Sequence, residues 1–298
     1  YYNIIDKPNH RSSHTRITIR GGGIIFPIAL LLYAVFMGNN YPYFLLGLLL
    51  ISLISFLDDI KELSSKIRIL FHLIAVSLLF LQIGLFTFPF YWILLGLIFV
   101  IGTINAINFM DGINGITGGY ALITLLSLYY INLSVVNFTD SSVLLISIVS
   151  VLVFNFFNFR TKAKCFAGDV GSVSIAFIIL FFILQLIIKT GNVGYFALLL
   201  LYGLDAATTI VFRLIRKENI TKAHRSHFYQ FLANEKKILH VVVASIYMII
   251  QLLFNIIWLA FLSYSYLKLT FFIIVITIIF VLIRFILEGH KKLLIGSN

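Results

Sequence analysis

Ten apolar runs, separated by short polar breaks, set the terms for this chain. They cover about residues 22–38, 41–57, 67–85, 90–107, 117–133, 139–157, 172–188, 193–212, 239–262 and 267–287. Each is close to the roughly 20 residues that a helix needs to cross the hydrocarbon core of a bilayer. Only 11% of the 298 residues are charged, against about a quarter in a soluble domain. The expected fold is therefore all-α: a polytopic integral membrane protein of about ten transmembrane helices, forming a single domain over residues 1–298. The one cysteine, Cys165, excludes an intramolecular disulfide framework. No signal peptide is visible, because a charged, amphipathic segment precedes the first apolar run.

A formal charge of +11 invites a nucleic-acid reading, but its distribution argues against one. Twenty of the 22 basic residues fall in alternate connections. These hold Lys7, Arg11, Arg16 and Arg20; Lys61, Lys66 and Arg68; Arg160, Lys162 and Lys164; Arg213 to Lys237; and Arg284, Lys291 and Lys292. The opposite breaks, around Asn39, Phe88, Asn137, Asn192 and Ser263, are short and carry only Lys189 and Lys268. By the positive-inside rule the basic set is cytoplasmic, with both visible termini inside a bacterial plasma membrane. Most of these cations serve topology and headgroup contact, and no nucleic-acid partner is expected.

Topology does not require acids, yet ten of the eleven lie on or near the basic side, Asp140 being the exception. Four segments stand out. In "SFLDDIKELSSKIRIL", Asp58 and Asp59 close a span, where mutual repulsion and the helix dipole both oppose them. A bound cation would remove both penalties; neutralisation by Lys61, Lys66 and Arg68 is the plainer explanation. In "NAINFMDGINGITGG", Asn105, Asn108, Asp111 and Asn114 recur every three residues, a drifting polar stripe on a continuing helix. Gly112, Gly115, Gly118 and Gly119 would let a ligand approach the backbone closely, although Asn and Gly also make ordinary turns. In "FAGDVGSVSIAF", Asp169 is either an N-cap or a metal-holding acid beside a helix N-terminus that faces an anion. The loop "KAHRSHFYQFL" offers His224, Arg225 and His227 as donors to a phosphate or sugar, or else to lipid headgroups; as a zinc site the two imidazoles are weak. Two further polar residues fall within spans. Asp205 calls for a function or a buried partner, and His72 reads as a packed interfacial histidine.

Five distant segments thus bring acids, amides, glycines and cations to one side of the membrane. Hard carboxylates for Mg²⁺, glycine-lined backbone for phosphates and Arg/His for residual charge together suit an enzyme joining a nucleotide compound to a lipid. A cation-coupled secondary transporter relaying through Asp111, Asp169 and Asp205 is the competing reading. It predicts broken helices, an inverted repeat and a midplane site, and the span pattern shows no such repeat.

The segments "DKPNHRSSHTRITIRGGGI", "FLDDIKELSSKIRIL", "NAINFMDGINGITGG", "FAGDVGS" and "KAHRSHFYQFL" also occur in the order and rough spacing of a known family. The chain resembles the polyprenyl-phosphate N-acetylhexosamine-1-phosphate transferases, glycosyltransferase family 4. The resemblance implies transfer of a sugar-1-phosphate from a UDP-N-acetylhexosamine to undecaprenyl phosphate, with Mg²⁺ or Mn²⁺ as cofactor and UMP as second product. It casts Asp58, Asp59 and Asp111 as catalytic, Asp169 as the metal ligand, and Asn105, Asn108, Asn114, Arg68, His224, Arg225 and His227 as substrate-binding. It also implies a further helix ahead of Tyr1 and leaves room for a homodimer. Asn114 stands where many relatives carry a second aspartate, which points to altered nucleotide contacts. The His-Arg-Ser-His spacing suits the branch acting on small N-acetylated sugars for O-antigen or capsule.

Overall fold

The computed structural model describes residues 4–6, 17–219, 224–262 and 265–296. Lys7, Arg11, Arg16, Lys222 and Ser263, with most of the "DKPNHRSSHTRITIR" stretch, lie outside the described residues. The helices are α1 (Ile25–Met37), α2 (Pro42–Ile60), α3 (Ser65–Gln82), α4 (Phe90–Phe109), α5 (Ile116–Ser134), α6 (Ser141–Asn158), α7 (Gly168–Thr190) and α8 (Leu200–Ile215). After these come α9 (Phe228–Asn234), α10 (His240–Ile257), α11 (Tyr266–Glu288) and α12 (His290–Leu294). A short antiparallel pair, β1 (Ile5–Asp6) with β2 (Thr18–Ile19), ties down the N-terminal arm.

Among the described residues, nine helices are long and apolar enough to cross a membrane. The protein is therefore a multi-pass α-helical membrane protein. The first of the ten expected spans is the exception, a shorter apolar helix over Gly22–Met37. At 1.5 Å per residue it reaches roughly 24 Å, short of the roughly 30 Å hydrocarbon core. Gly38, at φ +100°, ends it.

The centre of the bundle is α7, which packs against α1, α2, α4 and α5. An apolar 18-residue window of α7 is 83% buried, whereas that of the more apolar α11 is only 17% buried. Small residues explain the difference. Gly171, Ser172, Ser174 and Ala176 let neighbouring helices close on α7, whereas α11 offers mainly Ile, Leu and Phe to its surroundings. One set of polar groups inside the bundle forms a paired network, as a low-dielectric interior favours. The Gln251 amide accepts from the Tyr120 hydroxyl and from Leu201 N–H, where the 3₁₀ turn Val193–Leu199 hands over to α8. Its own N–H₂ donates to Asn255, which in turn donates to Ser127.

At the end opposite the basic connections, Asp140 caps α6 through Ser142 N–H and accepts from Tyr33. The acid that stood apart in the sequence thus has a structural use. At the basic end the termini of α2, α3, α4, α5, α7, α8 and α10 converge, and there the remaining polar residues meet.

Candidate active site

Asp58 and Asp59 are adjacent in sequence but face different tasks. As a helix C-terminus disfavours negative charge, each carboxylate has found a cation. Asp58 pairs with Arg68 at 3.0 Å and accepts Leu63 N–H at 2.6 Å, which closes the loop into α3. Lys61 and Lys66, the other neutralising partners expected, make no ion pair with it among the contacts described. The side chain of Asp59 is buried and pairs with Arg20 at 2.6 Å. Its two oxygens accept the N–H groups of Asp169 and Val170 at 2.9 and 3.0 Å.

Those two N–H groups belong to the first turn of α7. Of the two readings of this segment, one placed an anion at the helix N-terminus; what the structure puts there is the protein's own Asp59 carboxylate. Asp169 is accordingly not the N-cap but a first-turn residue, and its carboxylate is left to accept from Arg20 at 2.9 Å. Gly168 makes this approach feasible, since at φ +73° a side chain would be strained, and its Cβ would lie 2.5 Å from Asp59 Oδ2. Gly23 and Gly171 let the N-terminal arm and α7 touch backbone to backbone. Burial opposes the charge on Arg20, but Asp169 and Asp59 outweigh it and hold its pKa above the ordinary value.

A cavity of about 420 Å³ opens beside this cluster. It brings together Asp58 and Arg68, Asn105 and Asn108 from one face of α4, Asp169, and His224 and His227 from the loop before α9. Asn108 Oδ1 receives the Ser172 hydroxyl, which fixes α4 to α7. Apolar side chains, among them Ile69, Phe109, Val173 and Ile210, complete the walls. Burial, with His227 and Arg213 close by, lowers the His224 pKa to about 4. A neutral ring is consistent with its Nδ1, which accepts Ser226 N–H at 3.3 Å.

The structure keeps Asp59, Asp111, Asn114 and Arg225 off the cavity wall. The polar stripe stops because α4 ends at Phe109. Asp111 turns to the Thr117 hydroxyl at 2.7 Å, and burial pushes its carboxyl up to about 6 against that bond and the Arg20 charge. Asn114 donates to the carbonyls of Arg160 and Thr161 and so ties the α4–α5 turn to the segment after α6. The glycines expected to admit a ligand are instead met by protein: Gly112 by Tyr229, Gly115 by Phe159, Gly118 by Asn155 and Gly119 by Met248.

Two further residues of this region carry little signal in the sequence. His72 lines the cavity, is 5% exposed, and has no partner for Nδ1; its place one turn after Arg68 on α3 was the available signal. Arg20, counted only as a topology cation, bridges Asp59 and Asp169.

Among the described residues no three His, Cys, Asp or Glu side chains form a ready-made metal cage. Asp58 and Asp169 are nonetheless neighbours facing one cavity, beside two amide side chains. That hard-oxygen set fits Mg²⁺, which commonly takes one or two carboxylates and completes its shell with water and substrate phosphates.

Fold and site together define a polytopic membrane protein with a carboxylate, amide and imidazole cavity at one end of its bundle. Residues 41–187 match the model described as glycosyl transferase family 4. That span contains all four aspartates at issue and ends before the histidine loop. A probable undecaprenyl-phosphate N-acetylglucosaminyl 1-phosphate transferase of Bacillus subtilis (strain 168) is 29% identical over 251 residues, covering 76% of this chain and 69% of that protein. Just under half of the chain is thus similar to glycosyl transferase family 4, and the relative that it resembles at 29% identity is a probable sugar-phosphate transferase.

Proposed function

We propose that the protein transfers an N-acetylhexosamine-1-phosphate from a UDP-sugar to undecaprenyl phosphate, giving undecaprenyl-diphospho-sugar and UMP and initiating a cell-surface polysaccharide. The observation that carries this reading is the cavity itself, where carboxylates, amides, Arg68 and two imidazoles share walls with apolar side chains at the basic end of the bundle. A water-soluble diphosphate and a lipid phosphate need such a boundary. The positive-inside rule supports a cytoplasmic site in the bacterial plasma membrane.

In the reaction a lipid phosphate oxygen attacks the sugar-bearing phosphorus, the bond to the second phosphate breaks, and UMP leaves. A phosphate monoester has a second pKa of about 6, so the nucleophile is largely dianionic near neutrality and needs no strong base. Bringing two anions together is the harder task. Asp169 and its neighbour Asp58 would hold Mg²⁺, which when bound neutralises phosphate charge and stabilises the leaving group. Arg68 orients Asp58; Asn105 and Asn108 supply amide donors; His224 and His227 supply ring nitrogens to phosphate or sugar oxygens. Asp59 does not touch substrate: it holds Asp169 in place through α7. Asp111 and Asn114 act likewise, by fixing the turn behind α4.

The test is UMP release by the purified protein with undecaprenyl phosphate, Mg²⁺ and a panel of UDP-N-acetylhexosamines. One active sugar supports the reading and names the donor; no release with any of them refutes it.

A further inference from the structure

Asp205 is fully buried in the middle of α8 and has no place among the groups lining the cavity. Its Oδ1 accepts Phe228 N–H at 2.8 Å, and its Oδ2 accepts Tyr229 N–H at 3.2 Å and the Tyr247 hydroxyl at 2.6 Å. Every one of these neighbours donates, which is the environment of a carboxylate rather than of a carboxylic acid. The carboxylate thus fastens the first turn of α9, as Asp59 fastens that of α7.

The residue just ahead of α9 is His227, 3% exposed, with Nδ1 3.5 Å from Asp205 Oδ1. Beyond that contact both ring nitrogens are buried without a hydrogen-bond partner, and the side chain lines the cavity. A buried nitrogen without a partner costs free energy unless something else fills its direction. Here that direction is the cavity. The other groups around the ring are His224 at 4.9 Å between centroids, Tyr229 at 5.8 Å on α9, Tyr247 on α10, Arg225 on the same loop, and Arg284 on α11. Arg284 is spoken for by Glu288, Thr208, Thr209 and the Ser226 carbonyl. Asp205 is therefore the one carboxylate directed at His227 among the described residues.

We propose that Asp205 is a positioning residue for His227: its carboxylate holds the Nδ1 edge of the ring and so turns Nε2 into the cavity, toward the bound diphospho-sugar. The reasoning is that of any histidine whose outward nitrogen is set by a carboxylate on the inward one. The inference rests on the phosphoryl-transfer reading above. It adds to that reading an assigned role for a carboxylate buried behind the site.

The pair is tested on detergent-purified full chain labelled with [¹⁵N]histidine, with His227 assigned by loss of its signal in His227→Gln. In Asp205→Asn the ring ¹⁵N shifts of His227 at a fixed pH should change, because an amide replaces the carboxylate beside Nδ1. With that change kcat should fall about 10–100-fold with KM nearly unchanged. In a His227→Gln background the same change should add little. If Asp205→Asn fails to fold, Tyr247→Phe serves instead, since removing a donor from Asp205 should also alter the His227 shifts. Unmoved His227 shifts in a folded variant overturn the proposal, as do moved shifts with an unaltered kcat. A wild-type protein that releases no UMP from any donor sinks the functional reading instead, and the ¹⁵N shifts still decide whether Asp205 governs His227.

Discussion

Asp59→Asn separates a residue that builds the site from one that acts in it. The asparagine keeps the size of the carboxylate but only one acceptor, so one of the N–H groups of Asp169 and Val170 is left facing an N–H₂ in a fully buried setting. Such an orphaned donor costs about 1–3 kcal/mol, and the lost anion at a helix N-terminus up to about 1 kcal/mol more. Arg20 is a third exposed, so its pairing is screened by solvent and adds at most about 1 kcal/mol. Together the change should cost about 2–4 kcal/mol. Asp58→Asn retains an acceptor for Leu63 N–H and loses a pair with the more exposed Arg68, so it should cost about 1 kcal/mol or less. Unfolding midpoints in detergent micelles can be read with a thiol-reactive dye on Cys165, the one cysteine, which lies against Gly22 beside the N-terminal arm. Asp59→Asn should melt well below wild type, while Asp58→Asn should melt near it and still lose activity. An Asp59→Asn protein that melts with wild type yet releases no UMP would refute the reasoning, because Asp59 would then be acting on substrate.

Asp169→Asn is expected to abolish UMP release at every Mg²⁺ concentration; near-normal turnover removes it from the metal site. Gly23→Ala drives a methyl into the Gly171 backbone and should cost about 1–3 kcal/mol as overpacking, read as a lower melting midpoint, with no change counting against the close contact. For His224 the folded pKa, about 4, lies below the ordinary 6.5, so the fold favours the neutral ring. That stability is present above pH 6.5 and is lost as pH falls through about 4. The wild-type midpoint should accordingly drop more steeply over that window than that of His224→Gln, and parallel curves would contradict the burial argument.

Much of the site was legible because its residues are out of place in so apolar a chain. Asp58, Asp169, Asn105, Asn108, Arg68, His224 and His227 were all picked from sequence, and all line one cavity. Asp59, Asp111 and Asn114 belong to the same segments but turn away from it. A single helical residue of rotation or the end of α4 decides which way a side chain points, and a motif does not record that. Arg20 and His72 carry little signal in the sequence because a basic side chain or a histidine near a membrane surface has an ordinary explanation, and only folding shows whether that explanation applies.

The sequence alone determined that the chain is a bundle of membrane-crossing helices and which end carries the polar chemistry. Span length, the placement of cations and the cost of intramembrane charge are local properties of the chain. Tertiary structure alone decided that α7 is central while the more apolar α11 is peripheral, since hydropathy does not distinguish lipid from protein as a neighbour. It alone showed two buried carboxylates, Asp59 and Asp205, each holding the start of another helix from 110 and 23 residues away. Those bonds exist because an unsatisfied N–H in a low-dielectric interior must find an acceptor, and the nearest acceptor in space need not be near in sequence.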